Sequence, residues 1–257
     1  EAVTSGILTA EQVGCFRRDG LLVLPSFYDV ERDIRPIQWG IHQVIGQVLL
    51  RHGLEDLRAP FSPERFDNGY QALIATDRSY GGEVYDAVKQ IPAFIRLLGD
   101  RRHEQLFTAL RPQAVPGIAA GGYGIRIDNP NEDNYRALWH QEYPSQLRSL
   151  DGLVFWSPLL DVTPELGPVQ FCPGSQADGP QCVTSSEAGG RTGAYALKLK
   201  DEQALLARYE KVAPLTSAGD LIIVDFLTLH ASGFNTSSRS RWSLQFRYFN
   251  FDEPTGR

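Results

Sequence analysis

Apolar residues recur at helical spacing through the first part of the chain and fall into short, strand-like runs in the second. Leu8-Thr9-Ala10-Glu11-Gln12 predicts a helix start, with Thr9 as N-cap and Gln12 placed to bond back to it. That helix runs to Asp19-Gly20, and Leu21–Leu24 before Pro25 then reads as a buried strand. From about Val30 to Leu50, the spacing of Ile34, Ile37, Ile41, Ile45 and Val48 predicts one long amphipathic helix. Two more helices are predicted near Gly82–Leu98 and Arg101–Leu110. After Pro116, runs rich in β-branched and aromatic residues alternate with Gly, Pro, Asn and Asp turns. They predict strands within Gly121–Asp128, Leu153–Leu160, Val169–Cys172, Gly219–Phe226 and Trp242–Phe251, with a helix at about Asp201–Tyr209. The expectation is one domain over 1–257, mainly β with flanking helices. About 1–115 is its mainly helical part, packed against an all-β barrel or sandwich formed by about 116–257.

Composition narrows the function classes. The 257 residues are 42% hydrophobic and 22% charged, with a net charge of −6, ordinary values for a globular chain with a substantial core. No Lys/Arg-rich run stands out, so neither nucleic acid nor an anionic membrane is an expected partner. No apolar stretch approaches the roughly 20 residues that span a bilayer. The opening residues lack the basic-then-apolar layout of a secretory signal. Cys15, Cys172 and Cys182 are odd in number and widely spaced, which reads as free thiols in a reducing compartment, so a cytoplasmic location is expected. Asn235-Thr236-Ser237 matches a glycosylation sequon, read here as coincidence.

Candidate chemistry gathers at His140-Gln141-Glu142 and His230. If the triplet lies in a strand, residues two apart share a face, so His140 and Glu142 reach one ion while Gln141 points away. Alone, such a triplet more often marks a polar surface strand. His230 follows the buried run Leu221–Phe226, where rigid strands often present functional side chains. Together they supply two imidazoles and a carboxylate, the set of non-haem Fe(II) oxygenases with open coordination positions. Arg241 and Ser243 share a face eleven residues further on, and a guanidinium beside a hydroxyl suits a carboxylate. Arg239 and Arg247 compete for that role. A zinc-dependent hydrolase, or a cupin-like isomerase or metal-free binding module, are the alternatives. His42, His52 and His103 fall in predicted helices and read as structural.

These residues, taken in order, resemble the phytanoyl-CoA dioxygenase family of Fe(II)/2-oxoglutarate-dependent oxygenases. His140-Gln141-Glu142, His230-Ala231-Ser232-Gly233-Phe234-Asn235 and Arg241 carry the likeness. Leu8–Pro25 is similar to that family's opening, and Gly167-Pro168-Val169-Gln170-Phe171-Cys172-Pro173-Gly174-Ser175 to its central strand and turn. The resemblance implies a double-stranded β-helix (jelly-roll) core. It implies iron on His140, Glu142 and His230, and 2-oxoglutarate with its distal carboxylate on Arg241. It implies O2 as the second co-substrate and Ser232 and Trp156 as further co-substrate contacts. Ser243 and Arg126 are weaker choices, Arg126 on strand-face geometry alone. Two positions depart from the family. Glu142 stands where Asp is more usual, and Gln176 stands where relatives often place a His. Retention of a carboxylate argues against a halogenase.

The resemblance implies hydroxylation of a small-molecule substrate, with 2-oxoglutarate converted to succinate and CO2; desaturation and ring closure stay open as outcomes. Arg126, Asn129, Arg136, Tyr143 and Arg148 point to a polar substrate, anionic ones included. The chain is expected to act as a monomer or homodimer.

Overall fold

The computed structural model describes residues 6–145, 149–185 and 197–253; Arg148 lies outside them. Helix α1 (Ala10–Asp19) carries the expected capping box, Thr9 Oγ1 accepting from Gln12 N at 3.1 Å and Gln12 Oε1 from Thr9 N at 2.8 Å. Gly20, at φ +63°, ends it, and β1 (Leu21–Leu24) follows. The long predicted helix is confirmed with a changed start. Val30–Ile34 forms a wider π-helical turn, and the regular helix α2 is Arg35–Arg51. Pro36 sits at its opening, where a missing N–H removes no intrahelical bond. All five of the predicted apolar positions are buried.

The helix predicted across Gly82–Leu98 is two. After α3 (Tyr70–Thr76) come α4 (Tyr80–Val88) and α5 (Pro92–Leu98). Pro92 forces the break by excluding Ile91 from the helical region, so Ile91 is extended at ψ 123°. Helix α3 was not predicted, because seven residues are too few for periodicity to stand out. Asp100 caps α6 (Arg101–Leu110), accepting from Arg102 N. All three of the remaining histidines pack within this helical part. His103 is fully buried and shares a 2.6 Å hydrogen bond with Tyr28 Oη. His52 pairs with Glu83, and His42 stacks on Trp39.

The strands that follow are β2 (Pro116–Ile118), β3 (Gly124–Asp128), β4 (Gly152–Pro158), β5 (Val169–Phe171), β6 (Val183–Ser185), β7 (Leu197–Leu199), β8 (Leu221–Asp225), β9 (His230–Ser232) and β10 (Arg241–Asn250). The short helix α7 (Glu142–Ser145) precedes β4, and α8 (Glu202–Leu206) follows β7. An antiparallel six-stranded sheet runs β1-β8-β4-β10-β2, with β3 also paired to β10. A smaller sheet pairs β5 with β9 and is extended by single bridges, His140 to His230 and Phe171 to Val212.

Strand β10 shows how the large sheet divides its two faces. Trp242, Phe246 and Tyr248 meet Tyr70, Phe94 and Phe107 of the helices. Arg241, Ser243, Gln245 and Arg247 alternate with them and turn the other way. Gln245 and Arg247 reach a cavity that His230, Phe171 and Ser232 of the smaller sheet also line. Where β5 and β9 begin and end, two backbones cross closely. A Cβ on Gly167 (φ +69°) would stand 2.6 Å from Phe234 O, and one on Gly233 2.5 Å from Pro168 O. Only glycine fits either position. Cys15, Cys172 and Cys182 are free thiols, as expected. Asn235 is buried with its amide donating to Asp128 O and Arg239 O, so it is not presented as a glycosylation acceptor. Among the described residues, no helix is long and apolar enough to cross a membrane.

Candidate metal centre

His140 and His230 are fixed by their own backbones. Each N–H donates to the other's carbonyl at 3.0 Å, and the rings lie 4.3 Å apart. The expected strand through Glu142 is not there. His140 makes an isolated bridge, and the chain then turns into α7, where Tyr143 is extended (φ −92°, ψ 132°). Pro144, with no N–H to donate, cannot continue a ladder. Strand alternation is therefore not what brings the pair together. Glu142 N instead donates to Phe226 O at 2.9 Å, just past β8, which swings the carboxylate beneath the imidazoles. Gln141 does point away, donating to Gly179 O and Leu227 O.

Three ligand atoms converge within 4.8 Å of one another. Glu142 Oε1 stands 3.4 Å from His230 Nε2 and 4.0 Å from His140 Nε2. Bonds of roughly 2.1 Å to one metal ion would put neighbouring ligand atoms about 3 Å apart, so the three side chains would draw together on binding. The tautomers suit a cation. His140 Nδ1 lies 2.6 Å from Leu138 O and His230 Nδ1 2.9 Å from Thr228 O. A carbonyl only accepts, so both protons sit on Nδ1 and both Nε2 lone pairs face Glu142. Burial, reinforced by His230, pushes the His140 pKa down to about 3, which keeps that ring neutral. Burial works to raise the Glu142 pKa, but the Arg247 charge and the bonds from Arg247 hold it well below the carboxylate range.

Arg247 is the site residue whose role the sequence did not reveal. Its Nε donates to Glu142 Oε2 at 2.7 Å and its Nη2 to Oε1 at 2.9 Å. Each carboxylate oxygen has a second lone pair, so the fork leaves Oε1 able to ligate. The signal was present in the strand period, since Arg247 lies on the same face as Arg241 and Ser243.

The other predicted residues divide. Trp156, Ser232 and Arg126 line the metal cavity, of about 190 Å³, beside His140, Glu142 and His230. Arg241 and Ser243 are fully buried behind its wall. Arg241 Nη2 donates to Asp128 Oδ2 at 2.7 Å and to Ser232 Oγ at 3.2 Å, and its Nη1 donates to Gly167 O. Burial works to raise the Asp128 pKa, but Arg126 and Arg241 bring it down to about 2. Three buried polar atoms in this region have no partner: Arg241 Nε, Ser243 Oγ and Trp156 Nε1. Both of the rival arginines are matched to acids, as Arg241 is to Asp128. Arg239 forks onto Asp67, which also accepts from Trp242, and Arg247 is committed to Glu142. Gln176 donates to Arg18 O at 3.0 Å and ties its turn to α1.

Residues 127–243 match the family model described as "Phytanoyl-CoA dioxygenase (PhyH)". No curated protein sequence matches the chain. Among solved structures, EctD from S. alaskensis, crystallised with 2-oxoglutarate and 5-hydroxyectoine, is similar at TM-score 0.62 and 18% identity, over 98% of this chain and 80% of that one. SnoK, a non-heme alpha ketoglutarate dependent carbocyclase from nogalamycin biosynthesis, gives TM-score 0.58 at 17% identity, over 97% of this chain and 87% of that one. SnoN, a non-heme alpha ketoglutarate dependent epimerase from nogalamycin biosynthesis, gives TM-score 0.56 at 18% identity, over 93% and 81%. At these identities the likeness establishes a shared fold. The matched segment holds His140, Glu142, His230 and Arg241, and over it this chain is similar to the phytanoyl-CoA dioxygenase family.

Proposed function

We propose that this protein is an Fe(II)- and 2-oxoglutarate-dependent dioxygenase that hydroxylates a small molecule, on a double-stranded β-helix core with the helical part packed against it. The observation that carries the reading is the buried His140–Glu142–His230 cluster, with both Nε2 atoms turned toward one carboxylate oxygen. Bound there, Fe(II) with 2-oxoglutarate and O2 supplies the oxidising power that converts a substrate C–H to C–OH, 2-oxoglutarate leaving as succinate and CO2.

The chain's own work is holding and orienting. The carbonyls of Leu138 and Thr228 keep the protons of both imidazoles on Nδ1, so neither ligand must lose a proton when iron binds. Arg247 steers the Glu142 carboxylate and balances its charge, which offsets the freedom of the extra methylene that glutamate has over aspartate. The unpartnered donors Arg241 Nε, Ser243 Oγ and Trp156 Nε1 fit the distal carboxylate of 2-oxoglutarate. A buried donor without an acceptor costs about 1–3 kcal/mol, so three in one region mark a place for a ligand's oxygens. Ser232, accepting from Arg241 and lining the cavity, would hold that guanidinium in position. Arg126, tied to Asp128 and to Tyr135 O, walls the cavity rather than anchoring the co-substrate. Hydroxylation is the proposed outcome because it asks the chain only to position the reacting carbon and keep bulk water out.

The test is anaerobic addition of Fe(II) and then 2-oxoglutarate to the purified protein, watching for the weak visible charge-transfer band of their chelate. The band is expected in the wild type and absent in His230→Ala. No band, together with zinc-dependent hydrolysis, would replace this reading with the hydrolase alternative.

A further inference from the structure

A second cavity, of about 490 Å³, adjoins the metal cavity, and Tyr85 and Arg126 line both. Small-molecule pockets generally measure about 300–1,000 Å³. The metal cavity, at about 190 Å³, falls below that range and has room only for the reacting end of a substrate beside a co-substrate. The second cavity has room for the rest.

Its walls specify a chemistry. Ser79, which precedes α4 as its N-cap, and Gly82 and Tyr85 within the helix recur every three residues and form one lining face. Tyr70 is buried within the wall, while Tyr85 and Tyr135 leave 45% and 58% of their surface open. Gly82 leaves helix backbone bare among the tyrosine rings, whereas the space beside Gly81 is filled by Arg78, Ile74 and Tyr70. A Cβ added at Gly82 would meet nothing within 4 Å.

Both of the cavity's arginines are already matched to acids. Arg78 forks onto Glu132 at 2.5 and 2.8 Å with its guanidinium 5.0 Å from the Tyr135 ring, and Arg126 bonds to Asp128. Asn129 donates to Glu132 and accepts from Ser240. An anionic ligand would have to displace one of these carboxylates. A flat apolar one need only slide between rings and backbone.

We propose that the second cavity binds the body of the substrate, and that the substrate is a planar, largely apolar ring compound carrying hydroxyl or carbonyl groups instead of ionised ones. The reaction at its inner end rests on the oxygenase reading above; the binding does not. This replaces the expectation of an anionic substrate drawn from the residue types near the motif, since Arg126 and Arg136 both bond to neighbouring acids, Asp128 and Asp133.

The test is metal-free. 1,8-Dihydroxyanthraquinone is titrated into the full chain and followed by its visible absorbance, with octanoyl-coenzyme A as an anionic competitor. Gly82→Leu puts a side chain into the open space, and leucine favours helix over glycine, so α4 is not weakened. Thermal melting confirms that the variant is folded. The expected result is saturable one-to-one binding to the wild type. Gly82→Leu should weaken it by about tenfold or more, and Tyr135→Ala by about two- to tenfold. Octanoyl-coenzyme A should not displace the ring. Absence of saturable binding, binding indifferent to Gly82→Leu, or displacement by the thioester would each overturn the proposal. If the ring binds but the anaerobic iron band is missing, the pocket stands and the oxygenase reading falls. If the band forms and the ring does not bind, only the pocket proposal is lost.

Discussion

Arg241 and Arg247 lie on one face of one strand, and both pair with buried carboxylates, yet they are left in different states. Arg247 is spent: both oxygens of Glu142 take its fork, and the pair forms one wall of the metal cavity. Arg241 is unfinished: Asp128, Ser232 and Gly167 take its terminal nitrogens, while its Nε and the neighbouring Ser243 Oγ stay unpartnered. A completed pair holds a protein group in place, whereas an incomplete one, buried just behind the wall of a cavity, points to a ligand that completes it. Under the proposed function, Arg247 serves the iron ligand and Arg241 the co-substrate, although sequence spacing made them rivals.

The largest expected effect falls on Arg247. Arg247→Ala strands a carboxylate whose side chain is only 2% exposed. The metal-free protein should lose about 3–5 kcal/mol of stability in chemical denaturation. Iron affinity, read by titration, should fall about 10–100-fold, because the outer partner of a ligand has gone. Next comes Arg241→Ala, which should raise the 2-oxoglutarate Kd by about 10–100-fold, the worth of about 1.5–3 kcal/mol in charged hydrogen bonds, with iron loading intact. An equal effect of both variants on both ligands would break the comparison.

A third expectation concerns acid. The Asp128 pKa is held down at about 2, against an ordinary 3.8. A depressed carboxylate contributes stability above its unfolded pKa and loses it as pH falls through the folded value. Asp128 should therefore contribute about 2 kcal/mol that is present at about pH 5 and gone near pH 2. Asp128→Asn should show a correspondingly flatter loss of stability on acidification, measured by denaturation at several pH values. The smallest effect belongs to Trp156→Phe. It keeps the ring bulk and removes one unpartnered N–H, so the 2-oxoglutarate Kd should rise only about two- to tenfold.

Much of this arrangement was legible in the sequence, for identifiable reasons. The capping box at Thr9–Gln12 and the buried stripe of α2 are local patterns, and local patterns survive folding. The break at Pro92 is local too, but the apolar spacing running across it masked it. His140, Glu142 and His230 were legible as a set, while the geometry uniting them was not. Their convergence depends on hydrogen bonds to His230 O and Phe226 O, roughly ninety residues away in the chain. No periodicity encodes such contacts. The same holds for the acids on Arg126, Arg136 and Arg247. Charge counted along the chain suggested open cations, and the fold supplied their partners.

The most direct measurement is an anaerobic titration of the Fe(II)-loaded protein with 2-oxoglutarate, following the visible band, in wild type, Arg241→Ala and Arg247→Ala side by side. The expected result is a saturable band in the wild type. Arg241→Ala should give the same band at much higher 2-oxoglutarate, and Arg247→Ala a band limited by poor iron loading. A wild type without the band, or an Arg241→Ala variant with unchanged 2-oxoglutarate affinity, would contradict the assignment of this site.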